Sequence, residues 1–122
     1  MGITTVSATI SNLDHPRKKI SDTFIVDTGA AYTVLPEKLA IRLGITPVKT
    51  QAFSLADGTS VTRKLGFALV EVDGEKAPST VVIGEKDDSP LLGVITLENM
   101  GLMVDPFKRV LRPMKLMLAQ LS

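Results

Sequence analysis

The run Phe24-Ile25-Val26 delivers one carboxylate, Asp27, into Thr28-Gly29-Ala30, and Tyr32-Thr33-Val34-Leu35-Pro36 leads away. Three consecutive apolar residues fit a strand covered on both faces. A charge at the end of such a strand is costly unless it is hydrogen-bonded, paired or used. Thr28 offers a hydroxyl, and Gly29 lets backbone amides approach the carboxylate closely. A chain built around this stretch must therefore hold two strands and a tight acidic turn against one core. The bland alternative is an Asp that only caps its own turn, as Asp often does.

The remaining segments read mostly as strands. Ile3 to Ile10 is rich in Thr, Val and Ile, and Ile20 to Val26 returns from a polar turn at Ser11 to Lys19. Pro36 fits the start of a helix and Gly44 its end, with Leu39, Ala40 and Leu43 on one face and Ile45 folding back. Ala56-Asp57-Gly58-Thr59 lies between Phe53-Ser54-Leu55 and Ser60-Val61-Thr62 as a hairpin turn. Leu65 to Val72 reads as a further strand, closed by Asp73-Gly74, with Lys76 to Ile83 as its partner. Val94 to Met100 reads as a short helix with Gly101 at its C-cap. Leu102 to Val104 and Val110-Leu111 flank a last hairpin. Two hairpins marked by Asp-Gly favour an all-β architecture.

A length of 122 residues fits a single domain, 1–122, with a modest core. The net charge of +1 gives no field for recruiting nucleic acid or an anionic membrane. Absence of cysteine excludes disulfides and thiolate metal sites. No apolar run is long enough to span a membrane as a helix, and the N-terminus lacks the pattern of a secretory signal. A cytoplasmic location is the expectation. The single histidine, His15, sits among Asp14, Pro16 and Arg17 and reads as solvated, which weighs against Ser-His or Cys-His chemistry. Asp87-Asp88 falls in a charged loop and reads as solvated too, since no spaced acid or histidine completes a metal site. No metal and no cofactor is expected. The segment 112–122 is more apolar than an exposed tail, and either packs on its own barrel or forms a subunit interface.

The extended pattern from Phe24 to Pro36 resembles the active-site turn of retropepsin-like, retroviral-type aspartic proteases. The resemblance continues through Phe53 to Arg63, in the place of the flap hairpin. Leu91-Leu92-Gly93 before Val94 to Met100 is similar to the apolar-apolar-Gly motif that precedes a short helix in that family. It implies an all-β, single-lobed acid-protease barrel with a flap hairpin and one or two short helices. It also implies a dyad of carboxylates sharing one proton, one acting as general base on a water while the other donates to the carbonyl. With a single Asp-Thr-Gly, the second carboxylate must come from a second copy across a two-fold axis.

By this resemblance Asp27, Thr28 and Gly29 form the catalytic set, with Thr28 bonding across the dimer. Ala30, Ala31, Ala56, Asp57, Gly58, Thr59, Leu92 and Gly93 would contact substrate. The partners implied are a second copy of the chain and a peptide. The implied activity is aspartic endopeptidase; the alternative is a weak or inactive dimerisation or peptide-binding module of the same fold. Ala31 and Val94 depart from the viral pattern, where an Asp and an Arg usually stand. Losing both members of a buried ion pair can be near neutral, so the two are expected as a buried apolar replacement. Ala30 has no hydroxyl to donate to the carboxylate, unlike the Ser or Thr of many pepsin-like relatives, which implies activity in mildly acid to near-neutral solution.

Overall fold

A computed structural model describes residues 3–115. Its elements run in the order β1 (Thr4–Ser11), β2 (Lys19–Val26), β3 (Thr33–Leu35), α1 (Glu37–Arg42), β4 (Lys49–Ser54), β5 (Ser60–Val72), β6 (Glu75–Ile83), β7 (Leu91–Leu92), α2 (Val94–Asn99), β8 (Leu102–Asp105) and β9 (Val110–Pro113). Seven strands make one sheet in the order β1-β2-β7-β3-β6-β5-β4, and β1 also pairs with β5. Six strands therefore close into a barrel, while β4 hangs on the outer half of β5. The fold is the all-β acid-protease type, with two short helices.

Alternation fills the barrel. Ala8 and Ile10 of β1, Phe24 and Val26 of β2, and Ala68, Val70 and Val72 of β5 are buried at every second position. Leu35, Val81 and Leu92 join them, and Leu43, Leu97 and Met100 add the inner sides of the helical segments. Burial of one such side chain contributes about 1.5–3 kcal/mol, so this shared interior dominates what holds the strands together.

β5 is one continuous strand, where Ser60–Thr62 and Leu65–Val72 read as two pieces in the sequence. The strand changes partner along its length: Ser60 to Leu65 pairs with β4, and Leu69 to Glu71 with β1. Pairing with β6 begins only at Lys64. The β4–β5 hairpin thus extends past the barrel rim as a two-stranded arm, and its polarity reflects exposure rather than a turn.

The two Asp-Gly turns differ in kind. Asp73 and Gly74 both have positive φ, 52° and 83°, as a two-residue type I′ hairpin requires. In the other, Leu55 to Thr59 is a longer loop in which only Gly58 is left-handed, at 87°. Helix α1 ends as its sequence signals. The amide of Gly44 donates to the Ile41 carbonyl and that of Ile45 to the Ala40 carbonyl, each at 3.0 Å, which is a Schellman closure. Pro36 stands one place ahead of the helix, at its N-cap.

In the β8–β9 hairpin, Asp105 accepts the amides of Phe107 and Lys108 and pairs with Arg112 at 3.2 Å. The Lys108 amide foremost, then the Phe107 amide and the Arg112 guanidinium, hold its carboxyl below the ordinary 3.8 against desolvation. Of the C-terminal segment 112–122, Arg112 and Pro113 belong to β9, and Met114 donates its amide to the Gly101 carbonyl. Residues 116–122 lie outside the described residues, so the expectation of packing or interface there is open. No described helix is long and apolar enough to cross a membrane.

Candidate active site

Strand β7 runs between β2 and β3, parallel to β2 and antiparallel to β3. The Asp27 turn leaves β2 and enters β3 across the end of β7. Three backbone bonds fasten it. The Asp27 amide donates to the Leu92 carbonyl at 3.1 Å, the Val94 amide to Ala30 at 2.8 Å, and the Ile95 amide to Ala31 at 3.0 Å. Helix α2 begins at Gly93 without a side-chain cap, so its first amides are satisfied by the turn itself.

Gly93 is where the packing is tightest. A Cβ there would lie 2.4 Å from the Tyr32 carbonyl carbon and 2.6 Å from the Ala31 oxygen. Only glycine lets β7 and the turn come this close.

Behind the turn runs a buried chain of hydroxyls. The Gly93 amide donates to Thr33 Oγ1 at 3.1 Å; Thr33 meets Thr96, and Thr96 meets Ser79 at 2.6 Å. Ser79 reaches the Thr80 carbonyl at 3.4 Å. Each hydroxyl has one proton, so a single direction satisfies all donors: Gly93 to Thr33 to Thr96 to Ser79 to Thr80. This relay joins α2 and its N-cap Gly93 to β3 and β6. It escaped the sequence reading because Thr33 and Thr96 are 63 positions apart. The available signal was polar residues at positions where the strand and helix patterns call for apolar ones.

At the front, Asp27 is exposed, and its Oδ1 accepts the Gly29 amide at 2.8 Å. A side chain at Gly29 would press on that oxygen at 3.2 Å. Thr28 and Gly29 are exposed beside it. The carboxylate thus caps its own turn and still faces outward.

Two hollows flank this turn. One, of about 420 Å³, is lined by Asp27, Thr28, Ile25, Val26 and Thr4, with Ile3 and Val104. The other is a cleft of about 560 Å³ between the turn and the β4–β5 arm, lined chiefly by apolar groups. Gly29, Ala30 and Ala31 line it, as does Tyr32, whose ring meets that of Phe53 edge-on at 5.9 Å. Val34, Gln51, Ser54, Leu55, Val61, Arg63, Val82 and Asp88 complete the wall.

The sequence-expected substrate residues therefore divide. Ala30 and Ala31 line the cleft. Ala56, Asp57, Gly58 and Thr59 form the exposed tip of the arm and do not line it in the isolated chain. Leu92 is wholly buried and Gly93 is buried against the turn, so both stand behind the site, in its support. Ala31 is exposed rather than part of a buried apolar pair with Val94; the two segments meet through backbone bonds. The sequence alone does not bring Tyr32, Phe53, Arg63 and Asp88 to one cleft, because their convergence depends on how β3, β4, β5 and the loop after β6 meet. At the tip, Asp57 accepts the hydroxyl and the amide of Thr59, at 2.6 and 3.0 Å. The Thr59 hydroxyl, more than its amide, holds the Asp57 carboxyl below the ordinary 3.8.

A barrel whose parallel strand pair presents an Asp-Thr-Gly turn under a projecting hairpin defines the acid-protease class. A family model described as gag-polyprotein putative aspartyl protease matches residues 18–99, more than half of the chain, and the chain belongs to that family. The match runs from just before β2 to the end of α2, so it takes in the Asp27 turn, the β4–β5 arm and Leu91-Leu92-Gly93. The domain is retropepsin-like. Comparison with curated proteins gives no match.

Proposed function

We propose that the chain is a homodimeric aspartic endopeptidase in which two Asp27 carboxylates, one per subunit, activate a water against a peptide bond. The observation that carries this reading is the placement of Asp27. It is an exposed carboxylate, fixed by the Gly29 amide, in a hollow of mixed polarity, and the next residues of its turn, from Gly29 to Tyr32, line a substrate-sized cleft. The cleft suits an extended peptide. The hollow, with exposed Ile3 at its edge, suits a second copy that brings its own Asp27.

In the dyad, one carboxylate takes a proton from the water as it attacks the carbonyl carbon, and the other, protonated, donates to the carbonyl oxygen. The arms would close over the bound peptide and exclude solvent. The sequence holds one Asp-Thr-Gly, so a lone chain has half of this apparatus.

The test combines sedimentation at micromolar concentration with cleavage of a diverse peptide library, with and without a statine-type inhibitor. The expected result is a dimer whose cleavage the inhibitor blocks. A monomer cleaving at full rate would refute the shared site. A dimer that binds peptides but never cleaves them would make the chain a binding module.

A further inference from the structure

Two charged side chains line the cleft, Arg63 and Asp88, and they are not equally committed. Arg63 on β5 is three-quarters buried; its Nη1 pairs with Glu85 at 3.4 Å and also donates to the Thr62 carbonyl at 3.0 Å. Its charge is answered. Asp88 has no ion-pair partner within 4.0 Å among the described residues. Its Oδ2 accepts the Glu85 amide at 2.7 Å, and the Asp88 amide donates to the Glu85 carbonyl at 3.2 Å. A Cβ at Gly84 would lie 2.6 Å from that same Oδ2. The exposed carboxylate is therefore held in place, with no hydrogen bond to Oδ1 among the described residues, and it lines the same cleft as Val34, Val61 and Val82.

We infer that Asp88 is a specificity-determining residue and that the cleft selects peptides carrying a basic side chain beside apolar ones. The inference rests on the cleft being a peptide site, as in the reading above. An ammonium or guanidinium group entering there finds a fixed anion, while its aliphatic stem lies along the valines. An acidic side chain meets the like charge of Asp88, and Arg63 offers it only a charge that Glu85 already holds. Asp88 is solvent-exposed, so both effects have the strength of a surface charge contact and are sensitive to salt.

The test uses the full chain carrying Asp27→Asn, so that binding is measured without cleavage. Matched peptides have an apolar frame with Lys, Gln or Glu placed at each position in turn, and wild-type cleavage of the same set is followed in parallel. At one position the Lys peptide should bind about tenfold more tightly than the Glu peptide, the range of a charge-assisted hydrogen bond. The preference should shrink in high salt. Asp88→Asn should level the series and Asp88→Lys should invert it. Equal binding of the three peptides, or tighter binding of Glu, overturns the inference and leaves the protease reading standing. An equal loss for all three peptides in Asp88→Asn also overturns it, since that marks a purely structural loop residue. Failure of every peptide to bind overturns it as well. Charge-selective binding without any wild-type cleavage leaves Asp88 in its role and removes the protease.

Discussion

The Asp27 turn and the tip of the β4–β5 arm are both tight, acidic, glycine-containing loops, and both cap an aspartate with amides of their own turn. They differ in what stands behind them. The Asp27 turn is bonded to β7 and to the first amides of α2, and is backed by the Thr33-Thr96-Ser79 relay. The arm's tip has Asp57 and Thr59 for support, and a Cβ at Gly58 would meet nothing within 4 Å. Under the proposed function, the difference would separate two jobs. A reacting carboxylate must be pre-positioned. A cover over an extended peptide must open, so it draws on the less stable part of the structure.

The sharpest way to break the comparison is at the chemistry. Asp27→Asn keeps an oxygen to accept the Gly29 amide, so the fold should survive, while an amide cannot serve as base. Turnover should fall by at least about a hundredfold, the lower end of what a positioned acid or base contributes. Circular dichroism and thermal unfolding would check the fold, and kcat/KM the activity. Near-normal turnover would remove Asp27 from the reaction.

Next in size is glycine against glycine. Gly93→Ala forces a methyl group into the Tyr32 backbone at 2.4 Å, and neither side can yield. A loss of about 3 kcal/mol in urea unfolding is expected. Gly58→Ala meets open space and carries only the strain of a left-handed backbone, about 1 kcal/mol. Similar losses at the two sites would mean that the turn is no more rigidly held than the tip.

Thr96→Val interrupts the relay at its middle while nearly preserving shape. Thr33 and Ser79 each lose a buried partner, for a cost of about 2 kcal/mol. Amide hydrogen exchange at Gly93 should quicken. Unchanged stability would show that the hydroxyls fill space only.

The smallest effect is with pH. The folded-state carboxyl of Asp57 titrates below the ordinary 3.8. Its contribution is thus complete above the unfolded value and is lost as pH falls through the lower, folded one. On acidification below about pH 4, protection of the Thr59 amide, relative to its intrinsic exchange rate at each pH, should fall before protection of the Asp27 amide does. Asp57→Asn should abolish that acid dependence at Thr59. If both amides respond together, the tip has no separate stability.

Much of this was legible because it is local chemistry. The type I′ turn at Asp73-Gly74, the closure of α1 at Gly44, the strand carrying Phe24 to Val26 and the glycine after Asp27 each depend on a few neighbouring residues. Their backbone needs select the residue types directly. The tertiary structure alone decided which surfaces meet. Period-two alternation shows that Val34, Val61 and Val82 are strand residues, yet not that they wall one cleft. That β5 is continuous and passes from β4 to β1 along its length is likewise seen only in the assembled sheet. That Leu92 and Gly93 are buried against the Asp27 turn is seen only once β7 is placed beside it. Thr33 and Thr96 come together only when β3 and α2 pack, and Asp88, which reads as one more solvated loop acid, turns out to line the cleft. Contacts across such sequence distances depend on the closing of the barrel, and no short window of residues encodes that closure.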